Sequence, residues 1–337
     1  MKETLWIGLG NSAQAWYRCA MPANHLDQDW VGAAHGVPNK GGVILTGNVK
    51  NSIVDYDKYQ NIIIQLGSDP SWIPQIKEWQ KEGKKVFYEC DDFLHGIHNI
   101  KDHRFKSEFA KKRVKKYVEV MQVCDGLICS TEFLANEYKK YNSNVYVCKN
   151  GIDTELYVNE KPAPQGDTVF FGWSGGTGHL QAMKSWFNSI LFVMNYKKNS
   201  YFLTCGANYA DQAQDIFPDR STSIPWTTIE NYPFVINSFD IAIAPSHDSK
   251  YFKSKSDLRW LEAGASGVPV IANPITYKEI VDGETGFLAE TNEEFEQKLI
   301  NLIEDKELRT KVGEQARQYI KENRDISVMK NQWAQIL

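Results

Sequence analysis

Apolar positions along the chain gather into short runs separated by stretches with helical spacing. In the first half the runs are Leu5–Leu9, Val43–Thr46, Ile62–Leu66, Lys85–Glu89, Gly126–Cys129 and Val145–Cys148. The second half repeats the rhythm with Thr168–Gly172, Tyr201–Cys205, Ile241–Ala244 and Val268–Ala272. Strands alternating with helices predict right-handed crossovers and mostly parallel sheets, an α/β fold. The segment Lys161-Pro162-Ala163-Pro164-Gln165-Gly166-Asp167 reads as a linker by composition. The predicted organisation is therefore two Rossmann-like domains, residues 1–160 and 168–324, joined by 161–167, with a terminal helix over 325–337. Phe295, Leu299, Leu302 and Ile303, then Val312, Ala316 and Ile320, recur at helical spacing and predict helices near the C-terminal end.

The segment Lys255–Ala272, KSDLRWLEAGASGVPVIA, carries the most chemistry. Its pattern predicts a helix capped by Ser256, with Leu258, Leu261 and Ala265 on an apolar face, running through Gly264 and Gly267 into a strand opened by Pro269. Asp282-Gly283 marks a turn beyond it. Free amides at a helix start beside the carboxylate of Glu262 suit a nucleotide diphosphate: amides and dipole hold the phosphates, and the carboxylate accepts from ribose hydroxyls. Ser256, Asp257 and Leu258 are the candidate phosphate-facing positions. Lys253 and Lys255 precede them, and Lys255 is the cation placed to neutralise a departing diphosphate.

Composition narrows the classes. The chain has 337 residues, 42% apolar and 24% charged, with a net charge of −4. These values suit a globular protein of two ordinary domains and argue against global electrostatic binding to nucleic acid or anionic lipid. One stretch departs from the average: Lys101 to Lys116 holds eight Lys or Arg against two acids, a local charge of +6. Six cysteines show neither a CxxC pair nor zinc-site spacing, which predicts reduced thiols in a cytoplasmic protein. No apolar run reaches the roughly 18 to 20 residues of a membrane span, and no signal-peptide core follows Met1.

Glu262-Ala263, Gly267-Val268-Pro269-Val270-Ile271-Ala272 and Glu279-Ile280-Val281-Asp282-Gly283-Glu284-Thr285-Gly286-Phe287-Leu288 together resemble the donor-binding half of retaining glycosyltransferases of family 4. Asn150-Gly151-Ile152-Asp153 resembles the segment that closes the N-terminal domain in that family. The resemblance implies the GT-B fold, two Rossmann-like domains facing across a cleft, with the terminal helix crossing back to the first. It implies a nucleotide-diphosphate sugar donor, UDP- or GDP-linked, no required cofactor and no metal. Glu262 matches the second glutamate of a family pair eight positions apart, which holds the donor ribose. The first glutamate falls at Ser254, so this chain departs from the pattern there.

Further segments carry expectations of the same kind. Phe171-Gly172-Trp173-Ser174-Gly175-Gly176-Thr177-Gly178-His179 reads as a glycine-rich loop between strand and helix, whose amides approach phosphate or sugar. The family places an Arg and a Lys near this loop; the chain has neither there, which leaves His179 or the loop amides. Pro225 and Trp226 fall where the family contacts the base. Gly8-Leu9-Gly10 is too short for a dinucleotide fingerprint, and Gly10 is expected below the donor phosphates instead. Asp91 and Asp92 end a strand, where the resemblance implies a group near the reacting sugar; adjacent positions are expected to point apart, Asp91 towards the substrate. His95 and His98 lie nearby. Lys112, Lys115 and Lys116 line the polar face of the basic helix and predict an anionic or glycan acceptor. The resemblance implies a bacterial or lipid-linked glycan first, with hydroxymethylated phage-type DNA second. A sugar-nucleotide-binding protein without turnover is the alternative of another class.

Overall fold

A computed structural model describes residues 3–34, 36–40, 42–49, 53–69, 71–95, 108–157 and 166–337, the side chains of 108–111 and 113 excepted. His98, residues 101–107 of the basic stretch and residues 161–165 of the linker lie outside them. Packing divides the chain into two units: Met1–Gly151 with Ser254–Ser256 and Ile326–Leu337, and Ile152–Lys253 with Asp257–Asp325.

The first unit holds strands β1 (Thr4–Leu9), β2 (Asp29–Ala34), β3 (Val43–Gly47), β4 (Asn61–Gln65), β5 (Lys85–Cys90), β6 (Gly126–Cys129) and β7 (Val145–Val147). Their order is β3-β2-β1-β4-β5-β6-β7. All pairs are parallel except β2 with β3, which makes the Val43 strand an antiparallel edge. Helices cover both faces, so the strands are apolar at consecutive positions rather than alternating. Leu5, Ile62, Ile64, Val86 and Tyr88 meet Trp72, Ile76 and Trp79 of the helix Trp72–Lys81 on one face. The intervening Trp6, Ile63, Phe87 and Ile128 point to the other face and pack with Trp333 of the helix Ile326–Ala334. Trp6 and Trp333 lie 4.8 Å apart between ring centroids.

The second unit holds β8 (Val169–Gly175), β9 (Ser200–Gly206), β10 (Ser221–Ile224), β11 (Ile241–Ala244), β12 (Val270–Ala272) and β13 (Phe287–Leu288). They form a wholly parallel sheet in the order β10-β9-β8-β11-β12-β13. Helices Leu180–Tyr196 and Asn292–Glu304 close one face, with Trp186 stacked on Phe295 at 4.2 Å. Arg324 ties this unit together, taking both oxygens of Asp257 at 2.7 and 2.9 Å and one of Glu279 at 2.6 Å.

The order in which strands are added to the sheet reverses at β1 in the first unit and at β8 in the second, since β2 and β9 lie to one side and β4 and β11 to the other. Open α/β sheets hold ligands beyond the carboxyl ends of strands at such switch points. The loops after β1 and β8 therefore frame the polar groups described next. Periodicity missed β2, β10 and β13; the edge strands β10 and β13 are short, and Ser221-Thr222-Ser223-Ile224 buries too little apolar surface to show as a run.

Candidate functional site

In the first unit, polar side chains gather at the carboxyl ends of β1 and β5. Ser12 caps the turn Ala13–Ala15 by accepting from the Ala15 amide at 3.1 Å, and a wider π-helical turn follows over Trp16–Ala20. This stretch projects Gln14 and Arg18 towards β5. The Gln14 amide nitrogen donates to Asp91 at 3.1 and 3.3 Å and to Asp92 at 3.0 Å. The expectation that the two aspartates point apart is thus corrected: β5 ends at Cys90, the alternation of the strand no longer holds, and one amide gathers both carboxylates. Lys255 forms an ion pair with Asp92. Burial, with Asp92 and Glu89 alongside, pushes the Asp91 carboxyl up to about 7.

Beneath this pair Arg18 and Glu89 are 1% and 0% exposed and bond at 2.7 Å. Arg18 also donates to the Cys148 carbonyl at 2.6 Å and to Asn150 at 2.8 Å, and its guanidinium lies 4.8 Å from the Trp333 ring centroid. The Asn150 amide continues the network to the Ser256 hydroxyl at 2.8 Å. Gly10, with φ +61°, closes the turn after β1 and donates its amide to the Gly8 and Ala33 carbonyls.

Ser256 is consequently not a helix cap. The helix runs Leu258–Ala265 from Asp257, whose carboxylate is held by Arg324 instead of the helix amides. Ser254 ends a separate helix, Lys250–Ser254, is fully buried, and accepts from the Thr131 hydroxyl through its carbonyl at 3.2 Å.

In the second unit, β8 continues to Gly175, so Gly172, Trp173 and Ser174 belong to a strand and the loop shrinks to Gly176–His179. The register Gly175 to Gly206 against β9 extends the strand, and Trp173 enters the core. Gly172 serves packing: a Cβ there would stand 2.4 Å from the Phe239 ring and from the Leu203 carbonyl oxygen. Glu262, in the second turn of the helix Leu258–Ala265, is 4% exposed. Tyr232 donates to Glu262 at 3.1 Å and accepts from the Ser174 hydroxyl at 2.5 Å. Burial and the Glu262 charge raise the Tyr232 phenol well above its ordinary value, so it remains a donor.

The residue missed by sequence reasoning is Arg259, one turn before Glu262. Its Nε donates to the Ser174 carbonyl at 2.7 Å, and its Nη1 lies 3.4 Å from His179 Nδ1 and 3.4 Å from the Tyr277 hydroxyl. The signal available was its i, i+3 spacing from Glu262, which puts both on one helix face. Trp226, 61% exposed, follows β10, and the Pro225 carbonyl accepts from the Cys205 thiol at 3.6 Å. Lys112, Lys115 and Lys116 are exposed on the helix Glu108–Val123, with Lys115 3.8 Å from Glu119.

All six cysteines are free and buried. Among the described residues no three His, Cys, Asp or Glu side chains come together as a metal site, and no helix is long and apolar enough to cross a membrane.

Residues 194–305 match the profile of the family glycosyl transferases group 1. No curated protein matches the sequence. Among solved structures, Anabaena HepE in complex with UDP-glucose aligns with TM-score 0.68 at 12% identity, covering 100% of this chain and 99% of that one. A glycosyltransferase from Rickettsia africae aligns with TM-score 0.65 at 17% identity, covering 99% and 97%. S. aureus TarM in complex with fondaparinux, α-GlcNAc-glycerol and UDP aligns with TM-score 0.62 at 16% identity, covering 90% of this chain; the chain spans 61% of TarM. The fold is thus the one that these GT-B glycosyltransferases share, and a third of the chain matches the group 1 family model. The matched residues lie in the second unit, apart from Ser254–Ser256.

Proposed function

We propose that the protein transfers a sugar from a UDP- or GDP-sugar to a hydroxyl of a glycan acceptor, with retention at the anomeric carbon. The observation that carries this reading is the Ser174–Tyr232–Glu262 chain at the carboxyl end of β8, which holds a buried carboxylate at the switch point of a parallel sheet. Glu262 accepts from the donor ribose, and the loop amides at Gly176–His179 approach the phosphates. The exposed Trp226 ring supplies a face for the base. Asp91 and Asp92 orient sugar or acceptor, Lys255 supports the departing charge, and the leaving phosphate takes the acceptor proton. Lys112, Lys115 and Lys116 guide an anionic acceptor.

Titration calorimetry with UDP- and GDP-sugars, with NAD as the control, tests the donor; binding of NAD alone overturns it. Transfer onto free glycans, lipid-linked glycans and hydroxymethylated DNA identifies the acceptor, and NMR of the product's anomeric centre tests retention. Activity is expected to persist in EDTA. A second reading, donor binding without turnover, is favoured by the burial of Ser254 where the resemblance expects a sugar-contacting glutamate. Donor affinity without transfer or hydrolysis would select it.

A further inference from the structure

We propose that Arg259 is the cation that binds the donor diphosphate, supplied from a helix where the family resemblance expects an Arg and a Lys near the glycine-rich loop. This rests on the donor reading above and adds the residue that recognises the phosphates.

Among the described residues, no carboxylate lies at ion-pairing distance from Arg259. Arg18 and Arg324, by contrast, are paired with Glu89 and with Asp257 and Glu279. Arg220 and Arg309 also lack acids, but they donate to carbonyls at the ends of the helices Leu180–Tyr196 and Asn292–Glu304, where a cation offsets the helix dipole. Arg259 has no such helix end. Its partners are the Ser174 carbonyl, His179, the Tyr277 hydroxyl and the Trp173 ring, 5.1 Å from the guanidinium carbon.

These contacts fix the guanidinium plane through Nε and Nη1 and leave Nη2 without a hydrogen bond among the described residues. Nη2 lies beside Gly175, 2.4 Å from where a Cβ would stand, and Gly175 has φ +149°, so only glycine leaves the room it occupies. The Trp173 indole N–H in the same cluster is buried and also unpartnered. A fixed fork with an open nitrogen is suited to a phosphate oxygen. Ser174 sets the spacing to the ribose carboxylate, since its carbonyl takes Arg259 while its hydroxyl leads through Tyr232 to Glu262. A cation and a carboxylate held by one residue fit the diphosphate and ribose of one nucleotide. Lys255, the sequence's own candidate, has Asp92 as its counter-ion.

The test compares wild type, Arg259→Met and Arg259→Lys by calorimetry with UDP, GDP, UMP, GMP and inorganic pyrophosphate. Arg259→Met is expected to weaken the nucleoside diphosphate about 10- to 100-fold, the monophosphate by less, and to abolish pyrophosphate binding. Arg259→Lys, which keeps the charge and supports folding should the Met variant fail to fold, is expected to recover part of the loss. An unchanged ratio of diphosphate to monophosphate affinity in both variants overturns the assignment. Should wild type bind neither UDP nor GDP, the donor reading fails, and pyrophosphate still decides on Arg259: binding lost in the variants supports an anion site, and equal binding in all three overturns it.

Discussion

The two polar clusters handle buried charge in opposite ways. In the first unit the ion pairs are internal, Arg18 with Glu89 and Lys255 with Asp92, and the Gln14 amide bridges both aspartates. In the second unit Glu262 is held by a phenol and Arg259 by a carbonyl, a hydroxyl, an imidazole and an indole face. Internally paired charges lock a structure, because removing one partner leaves the other desolvated. Charges held by neutral dipoles are oriented without being neutralised, and keep their field for a ligand. The difference lies in what holds the buried ions: counter-ions in the first unit, a phenol and a backbone carbonyl in the second.

The largest effect tests that contrast directly. Arg18→Met is expected to cost about 3–5 kcal/mol in urea denaturation, because Glu89 is left buried without its partner. Arg259→Met is expected to cost less than about 2 kcal/mol, since no carboxylate is stranded. Equal losses would break the comparison.

Glu262→Gln comes next. It is expected to weaken the nucleotide sugar by about tenfold in calorimetry, as the ribose loses a charged acceptor. Tyr232→Phe sharpens the point: it is expected to cost about 1 kcal/mol of stability, with a smaller change in donor affinity than Glu262→Gln.

Asp91 gives a pH dependence of known sign. Its carboxyl is raised to about 7 from an ordinary value of 3.8, so the folded state favours the protonated form. Between those pH values the unfolded chain has released the proton and the folded chain retains it, and stability falls as pH rises until it levels above about 7. Asp91→Asn is expected to remove that slope, so its stability relative to wild type climbs from pH 4 to 7. A constant difference across that range, by denaturation at each pH, would contradict the shift.

The smallest effect belongs to the exposed lysines. Reversing Lys112, Lys115 and Lys116 to Glu is expected to raise the acceptor KM several-fold, leave the donor constant unchanged and flatten the salt dependence. Transfer to a neutral sugar with no salt effect would remove the electrostatic role.

By itself the sequence determined the α/β class, the repeated strand and helix rhythm, and the segment around Glu262, because these depend on local periodicity and on turn residues. It also signalled Asp91 and Asp92 at a strand end. It did not determine where β8 stops, since the extension to Gly175 depends on pairing with Gly206, nor the antiparallel edge at β3. Ser256 has the residue type of a cap, yet its hydroxyl bonds Asn150, 106 positions earlier. Arg259 reads as an ordinary helix residue until Ser174, 85 positions away, takes its Nε and leaves one nitrogen open. Burial, counter-charges and long-range partners arise only when distant strands are brought together, and they decided which charges find a counter-ion in the protein and which are held by other hydrogen-bonding groups.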